Sequence, residues 1–317
     1  MSWLELSVDA THEAVDWVRS LLSSTDYTSQ VTVTAYNAPP SHPEPSDWPL
    51  TLRFHLPHDR QARSRLDEIQ QLLSPLQRTG MITELQAIEV AENHPTEERP
   101  EPCAHRIGQA FVILTPDAKY APAPTDIPIR LQPTLSFGSG LHPATRLALQ
   151  LLERYVAPTM HTLDLGCGSG ILSVAIAKLG ATVLALDNDA IAVQATQDAV
   201  SRNQVESQVT VAEGSLGQGS TMGHWMGLAT VDQVTTVEPT ASFDLIVANI
   251  LGRAHLLLIQ DYRAALRPTD QPGFLITSGF TTEYEPEIDH ALTEVGFEAI
   301  DSDLMDDWVA LVHQLRA

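Results

Sequence analysis

From residue 161 to the C-terminus, short apolar runs alternate with stretches of helical spacing, and this rhythm restricts the fold more than any other feature of the chain. "HTLDLG" leads to "ILSVAIAKLG", "TVLALD" to "DAIAVQATQDAVSRNQ", "FDLIVANI" to "RAHLLLIQDYRAALRP" and "GFLITSG" to "EYEPEIDHALTEVGF". "QVTVAEG" adds a strand, and "DWVALVHQL" closes the chain. Strands that alternate with helices imply a mostly parallel, doubly wound α/β sheet covered on both faces. The wholly apolar "FDLIVANI" fits, because a strand buried on both sides has no polar face. Residues 216–242, rich in Gly, Ser and Thr, stand where another crossover helix belongs, and an irregular insertion of poor order is expected there.

The N-terminal part follows a different order. "WLELSV" alternates like a strand, "THEAVDWVRSLLSS" opens on a capping Thr11 and has helical spacing, and "QVTVTAYN" alternates again. After a loop with five prolines, "APPSHPEPSDWP", the same order returns as "LTLRFHL", "DRQARSRLDEIQQLLSPL" and "ITELQAIEV". Strand, helix, strand, twice over, is the α+β ferredoxin-like pattern. A chain of 317 residues, 43% hydrophobic, has length and apolar content for two such cores. The expected division is residues 1–90, a polar and proline-bearing linker at 91–108, and a larger domain at 109–317. That domain opens with two short strands in "QAFVILTP" and "DIPIRLQP" and a helix from Thr145.

Cys103 and Cys167 are too few for a disulfide framework or a cysteine-rich zinc site, so no metal is expected. No basic-then-apolar leader opens the chain and no run of eighteen apolar residues occurs, which points to a soluble, cytoplasmic protein without a membrane partner. The formal net charge of −22, with only Lys119 and Lys178 as lysines, disfavours a nucleic-acid binder and favours a cationic partner.

The sharpest motif is "DLGCGSG", residues 164–170. The dinucleotide fingerprint needs Gly-x-Gly-x-x-Gly, but Ile171 holds the third position here, and no Gly-Lys-Ser/Thr follows for a phosphate loop. Gly166, Gly168 and Gly170 still expose bare backbone to a ligand. Asp164 adds a negative charge that repels pyrophosphate and attracts an ammonium or sulfonium. Asp187, ending the next strand, can accept both hydroxyls of a ribose. Together these features describe S-adenosylmethionine. Cys167, inside the turn, reads as a small filler.

"DLGCGSG" followed by "LALDND" resembles the class I S-adenosylmethionine-dependent methyltransferases. A closer similarity covers nearly the whole chain: the PrmA family, which methylates large-subunit ribosomal protein eleven. It rests on "FGSGLHPAT" (Phe137 to Thr145), "ANIL" (Ala248 to Leu251), "ITSG" and the C-terminal "DDWVALV". The resemblance implies a Rossmann-like class I methyltransferase domain preceded by a small ferredoxin-like domain. It also implies that Thr145, Gly166, Asp187 and Asn249 contact the cofactor, with Phe137, Gly138, Gly140 and His142 in a loop covering it. The chain departs from the family in having "PTLS" ahead of Phe137 and a lengthened route to "ANIL".

Transfer to a lysine or N-terminal amine needs a neutral nitrogen, for which a desolvated cleft beside a positive sulfur suffices without a strong base. Asn249 is the expected hydrogen-bond acceptor for that amine or holder of the cofactor, and His142 is a second candidate as proton acceptor. Residues 1–90, with 12 acidic and 6 basic side chains, are the expected reader of a lysine-rich ribosomal protein. The rivals are a methyltransferase for another protein or a small molecule, and a non-catalytic module that keeps the fold.

Overall fold

The structure, a computed structural model, describes residues 3–23, 30–36, 48–78, 80–90, 104–115, 118–131, 142–217, 235–238, 240–268 and 273–316. These fall into two compact units, the first taking in the described residues up to Val90 and the second those from Ala104 on.

The first unit runs β1 (Trp3–Ala10), α1 (Ala14–Ser23), β2 (Thr32–Ala35), β3 (Leu50–Pro57), α2 (Ala62–Arg78) and β4 (Gln86–Val90). Its four strands form an antiparallel sheet in the order β2-β3-β1-β4. The register sets Leu6 opposite Phe54 and Val8 opposite Leu52. With the alternation of β-strands this places the large apolar side chains on one face. There they bury with Val18 and Leu21 of α1 and Ile69, Leu72 and Leu73 of α2. Thr11 caps α1 as its sequence position suggests, its Oγ1 accepting from Ala14 N–H at 3.2 Å.

The second unit opens with a three-stranded sheet of β5 (Ala104–Ile107), β6 (Phe111–Leu114) and β7 (Ile127–Arg130). β5 falls within the stretch expected to be linker; its residues "AHRI" are polar enough to read as connection, but pairing with β6 makes them a strand. After α3 (Pro143–Tyr155) come β8 (His161–Leu165), α4 (Ile171–Lys178), β9 (Thr182–Asp187), α5 (Ala190–Asn203) and β10 (Val209–Glu213). The two-residue strands β11 (Ser215–Leu216) and β12 (Thr236–Val237) pair in parallel. They frame part of the expected insertion, whose residues 218–234 and 239 lie outside the described ones. The chain ends with β13 (Leu245–Asn249), α6 (Gly252–Ala265), β14 (Phe274–Thr281), α7 (Glu285–Glu294), β15 (Phe297–Met305) and β16 (Trp308–Leu315).

The main sheet has the order β10-β9-β8-β13-β14-β16-β15, parallel except for β16, which runs antiparallel to both neighbours. Helices α3, α4 and α5 pack together on one face, α6 and α7 on the other. Leu163, Ile246, Ala248 and Leu275 join Leu258, Tyr262 and Leu292 in one buried cluster. The order reverses direction between β8 and β13, the kind of switch point at whose carboxyl ends open α/β sheets bind ligands. Among the described residues no helix is long and apolar enough to cross a membrane.

Candidate functional site

The turn after β8 is wound by its own backbone. Gly166 and Cys167 both donate to the carbonyl of Leu186, at 2.8 and 3.0 Å, and Gly170 donates to Cys167 O at 2.8 Å. Gly166, Gly168 and Gly170 all have positive φ, 75°, 54° and 79°. At Gly170 a side chain is excluded twice over, since a Cβ there would lie 2.9 Å from the Cα of Thr196 in α5. Thr196 Oγ1 also bonds Gly168 O at 3.0 Å and Cys167 Sγ at 3.2 Å. Burial pushes the Cys167 thiol well above its usual pKa, so it fills space and does not react as a thiolate.

Asp187, half-buried at the end of β9, braces this turn. Its Oδ2 accepts from Gly168 N–H at 2.9 Å and its Oδ1 from Asp189 N–H at 3.0 Å. Burial, which outweighs these bonds, raises its pKa to about 6. Asp164 lies one residue inside the end of β8 and is fully buried. Its Oδ2 accepts from Ser173 Oγ at 2.5 Å. Burial first, with a contribution from the nearby Asp187 charge, raises its pKa to about 7. Its Oδ1 has no hydrogen-bond partner among the described residues.

Asn249 ends β13 beside Ser278 of β14. Its Nδ2 donates to Thr145 Oγ1 on α3 at 3.2 Å. Its Oδ1 is buried and has no partner among the described residues. Among the described residues two acceptor oxygens thus stand without partners at the ends of the neighbouring strands β8 and β13. Such atoms cost free energy when buried alone and are usually met by water or a ligand.

His142 takes a different part from the proton acceptor considered above. It caps α3, its Nδ1 accepting from Ala144 N–H at 3.2 Å, and its ring meets Trp308 edge-on with centroids 4.4 Å apart. Burial drives its pKa down to about 3, so it is neutral at pH 7 and a poor base. Phe137, Gly138 and Gly140 lie outside the described residues. Among the described residues no group of three or more His, Cys, Asp or Glu is placed to hold a metal ion.

The sequence model of one family, described as ribosomal protein L11 methyltransferase (PrmA), matches residues 2–316. The chain belongs to the PrmA family. A PrmA relative named ribosomal protein L11 methyltransferase, from Chloroflexus aurantiacus, is 41% identical over 99% of this chain and 98% of its own. One of the same name from Herpetosiphon aurantiacus is 39% identical over 99% of both chains. A crystal structure of ribosomal protein L11 methylase from Lactobacillus delbrueckii subsp. bulgaricus superposes with a TM-score of 0.53 at 29% identity, covering 67% of this chain and 99% of that one. The seven-stranded sheet and its two helical layers are the α/β fold of class I S-adenosylmethionine-dependent methyltransferases.

Of the residues singled out in the sequence, the structure joins Thr145 to Asn249 directly and Asp187 to the glycine turn through Gly168. Sequence reasoning missed Ser173, the partner of Asp164, which carries no local signal. It also missed the role of Gly279 in "ITSG", whose φ is 95° and where a Cβ would lie 2.3 Å from Ile250 O. That glycine lets the residue after Asn249 pack against β14.

Proposed function

We propose that this chain binds S-adenosylmethionine at the carboxyl ends of β8, β9 and β13 and methylates lysine or N-terminal amines of ribosomal protein L11. The observation that carries the site is the buried Asn249 Oδ1, which has no partner among the described residues and is held by the Thr145 bond. The substrate follows from the family and the names of its members.

The residues present suit the cofactor. Bare backbone at Gly166, Gly168 and Gly170 would take its carbon skeleton, Asp164 its amino group, and Asp187, whose oxygens retain lone pairs beyond their backbone bonds, its ribose. When bound, S-adenosylmethionine supplies a methyl group on a positively charged sulfur.

An incoming lysine with pKa of about 10.4 needs about 4–5 kcal/mol to lose its proton at pH 7. Desolvation in the crevice lowers that cost, and the neutral His142 is no base for the remainder. Asn249 Oδ1 accepts one amine N–H and thereby turns the nitrogen lone pair toward the methyl, so its contribution is alignment.

The strand order β2-β3-β1-β4 with two helices supports a ferredoxin-like reading of residues 1–90, followed by a linker that ends before Ala104 and a catalytic domain to residue 317. The net negative charge of that first domain suits a lysine-rich protein better than RNA. A ribosomal protein as substrate supports a cytoplasmic location. Incubation with labelled S-adenosylmethionine and whole ribosomal protein tests the proposal. One labelled band with the mobility of L11 supports it, and label elsewhere or in small molecules only overturns it.

A further inference from the structure

Behind the candidate site lies a buried polar cluster that the proposed chemistry does not use: His255 and Tyr262 of α6, with Ser278 of β14, none of them exposed to solvent. His255 Nε2 stands 3.0 Å from Ser278 O, and its Nδ1 stands 3.1 Å from Tyr262 Oη. A carbonyl oxygen only accepts, so Nε2 carries the proton and donates; Nδ1 then accepts from the tyrosine hydroxyl. Burial lowers the His255 pKa to about 4, so this neutral tautomer persists at pH 7.

The carbonyl that His255 holds is shared. Ser278 O also accepts from Ile250 N–H at 3.0 Å, and Ile250 directly follows Asn249. The hydroxyl of Ser278 donates to Ala144 O at 3.0 Å, and Ala144 directly precedes Thr145. Ser278 therefore ties down both residues that flank the Asn249–Thr145 bond, and Gly279 lets Ile250 lie against it. The ring of Phe280 meets His255 edge-on at 5.2 Å between centroids, which fixes the direction of the imidazole.

We infer that His255, oriented by Tyr262 and acting through the Ser278 carbonyl, is a positioning residue that holds Asn249 in register for methyl transfer. It does not touch the substrate. A group that must align a nucleophile to within about 0.5 Å needs supporting residues whose own geometry is locked, and a histidine held at both nitrogens gives that. The inference rests on the methyltransferase reading, and its test separates the two.

The measurements are kcat and KM for ribosomal protein L11 at saturating S-adenosylmethionine, and cofactor affinity by calorimetry without substrate. His255→Leu is expected to lower kcat at least tenfold with cofactor affinity within threefold of wild type. His255→Gln, whose amide N–H can reach the carbonyl, is expected to recover most of the loss, and Tyr262→Phe to fall between. An unchanged kcat in His255→Leu, cofactor affinity lost in step with kcat, or no rescue by glutamine overturns the inference. If His255→Leu does not fold, Tyr262→Phe decides: a kcat at least threefold down supports the inference and an unchanged one overturns it. Nitrogen NMR of the imidazole supplies a readout apart from turnover, since protonation at Nδ1 in place of Nε2 contradicts the arrangement. Wild-type protein that neither binds S-adenosylmethionine nor methylates L11 overturns the functional reading and this inference with it. Active wild type with an unaltered His255→Leu overturns the inference alone.

Discussion

Asn249 donates from Nδ2 to Thr145 Oγ1 at 3.2 Å, joining the end of β13 to the first turn of α3 across 104 residues of sequence. The bond decides which end of the amide faces the crevice, because an amide whose nitrogen is engaged presents its oxygen on the other side. Thr145→Val keeps the shape and removes the acceptor. It is expected to cost about 1–3 kcal/mol of stability, the usual penalty for a buried donor left unpaired. It should also lower kcat about tenfold, while Thr145→Ser stays close to wild type. Steady-state kinetics with urea unfolding measure both, and a valine variant with full turnover contradicts this role for the bond.

Asn249 and Asp187 belong to different parts of the work. Asp187 braces the glycine turn through Gly168 and, on the proposed reading, holds the ribose, whereas Asn249 Oδ1 has no partner among the described residues. Asn249→Ala is therefore expected to lower turnover at saturating cofactor much more than Asp187→Ala, which should act mainly by raising the KM for cofactor. Equal losses of kcat in the two variants would falsify this division.

The parts of this molecule that were legible in the sequence are those whose signal is local. The glycine turn and the Thr11 cap each lie within a few residues of chain, and the βα rhythm, with Asp187 at the end of the strand after that turn, is a repeat of local patterns. β15 escaped notice because "FEAIDSDLM" lies at the edge of the sheet, where acidic and exposed residues replace the apolar run of a central strand. β5 was hidden for the same reason, its polar residues following a proline-rich stretch. In the sequence His142 reads either as a proton acceptor or as a histidine packing in its loop. Its capping role is set by the helix it starts, and its neutrality by burial in the folded domain, where its ring meets that of Trp308. The His255–Ser278 link has no spacing signature, since its residues stand 23 apart on different elements, α6 and β14.

Gly170→Ala tests the turn. An alanine at φ 79° pays about 1–2 kcal/mol for the left-handed backbone. Its Cβ would also press on Thr196 Cα, at an overpacking cost of about 1–3 kcal/mol, because backbone cannot rotate away. Urea unfolding should show a loss of about 2–5 kcal/mol, with cofactor binding weakened more than tenfold as the turn opens. Normal stability and affinity in this variant would mean that the turn adapts freely.

Two carboxylates, the buried Asp164 and the half-buried Asp187, make the site sensitive to pH. Asp164 is raised to about 7 and Asp187 to about 6, from an ordinary value near 3.8, so the folded protein keeps protons that the unfolded chain has released. Their contribution to stability is complete below about pH 3.8 and is lost as pH rises through 6 and 7, at up to ~1.4 kcal/mol per pH unit for each group. His142 and His255, lowered to about 3 and 4 from 6.5, act in the opposite sense, their contribution being present above pH 6.5 and lost as pH falls. The two effects oppose each other between about pH 4 and 6.5, which predicts a shallow overall profile there. Asp164→Asn removes one carboxylate, so the variant's stability relative to wild type should climb from pH 4 to 7. Binding a positively charged ligand favours the ionised carboxylates, so S-adenosylmethionine should bind more tightly at pH 7.5 than at 5.5 and release protons on binding. Calorimetry in buffers of different ionisation enthalpy reads that release. An affinity independent of pH, or an unchanged slope in Asp164→Asn, would show that these carboxylates do not face the charge of the ligand.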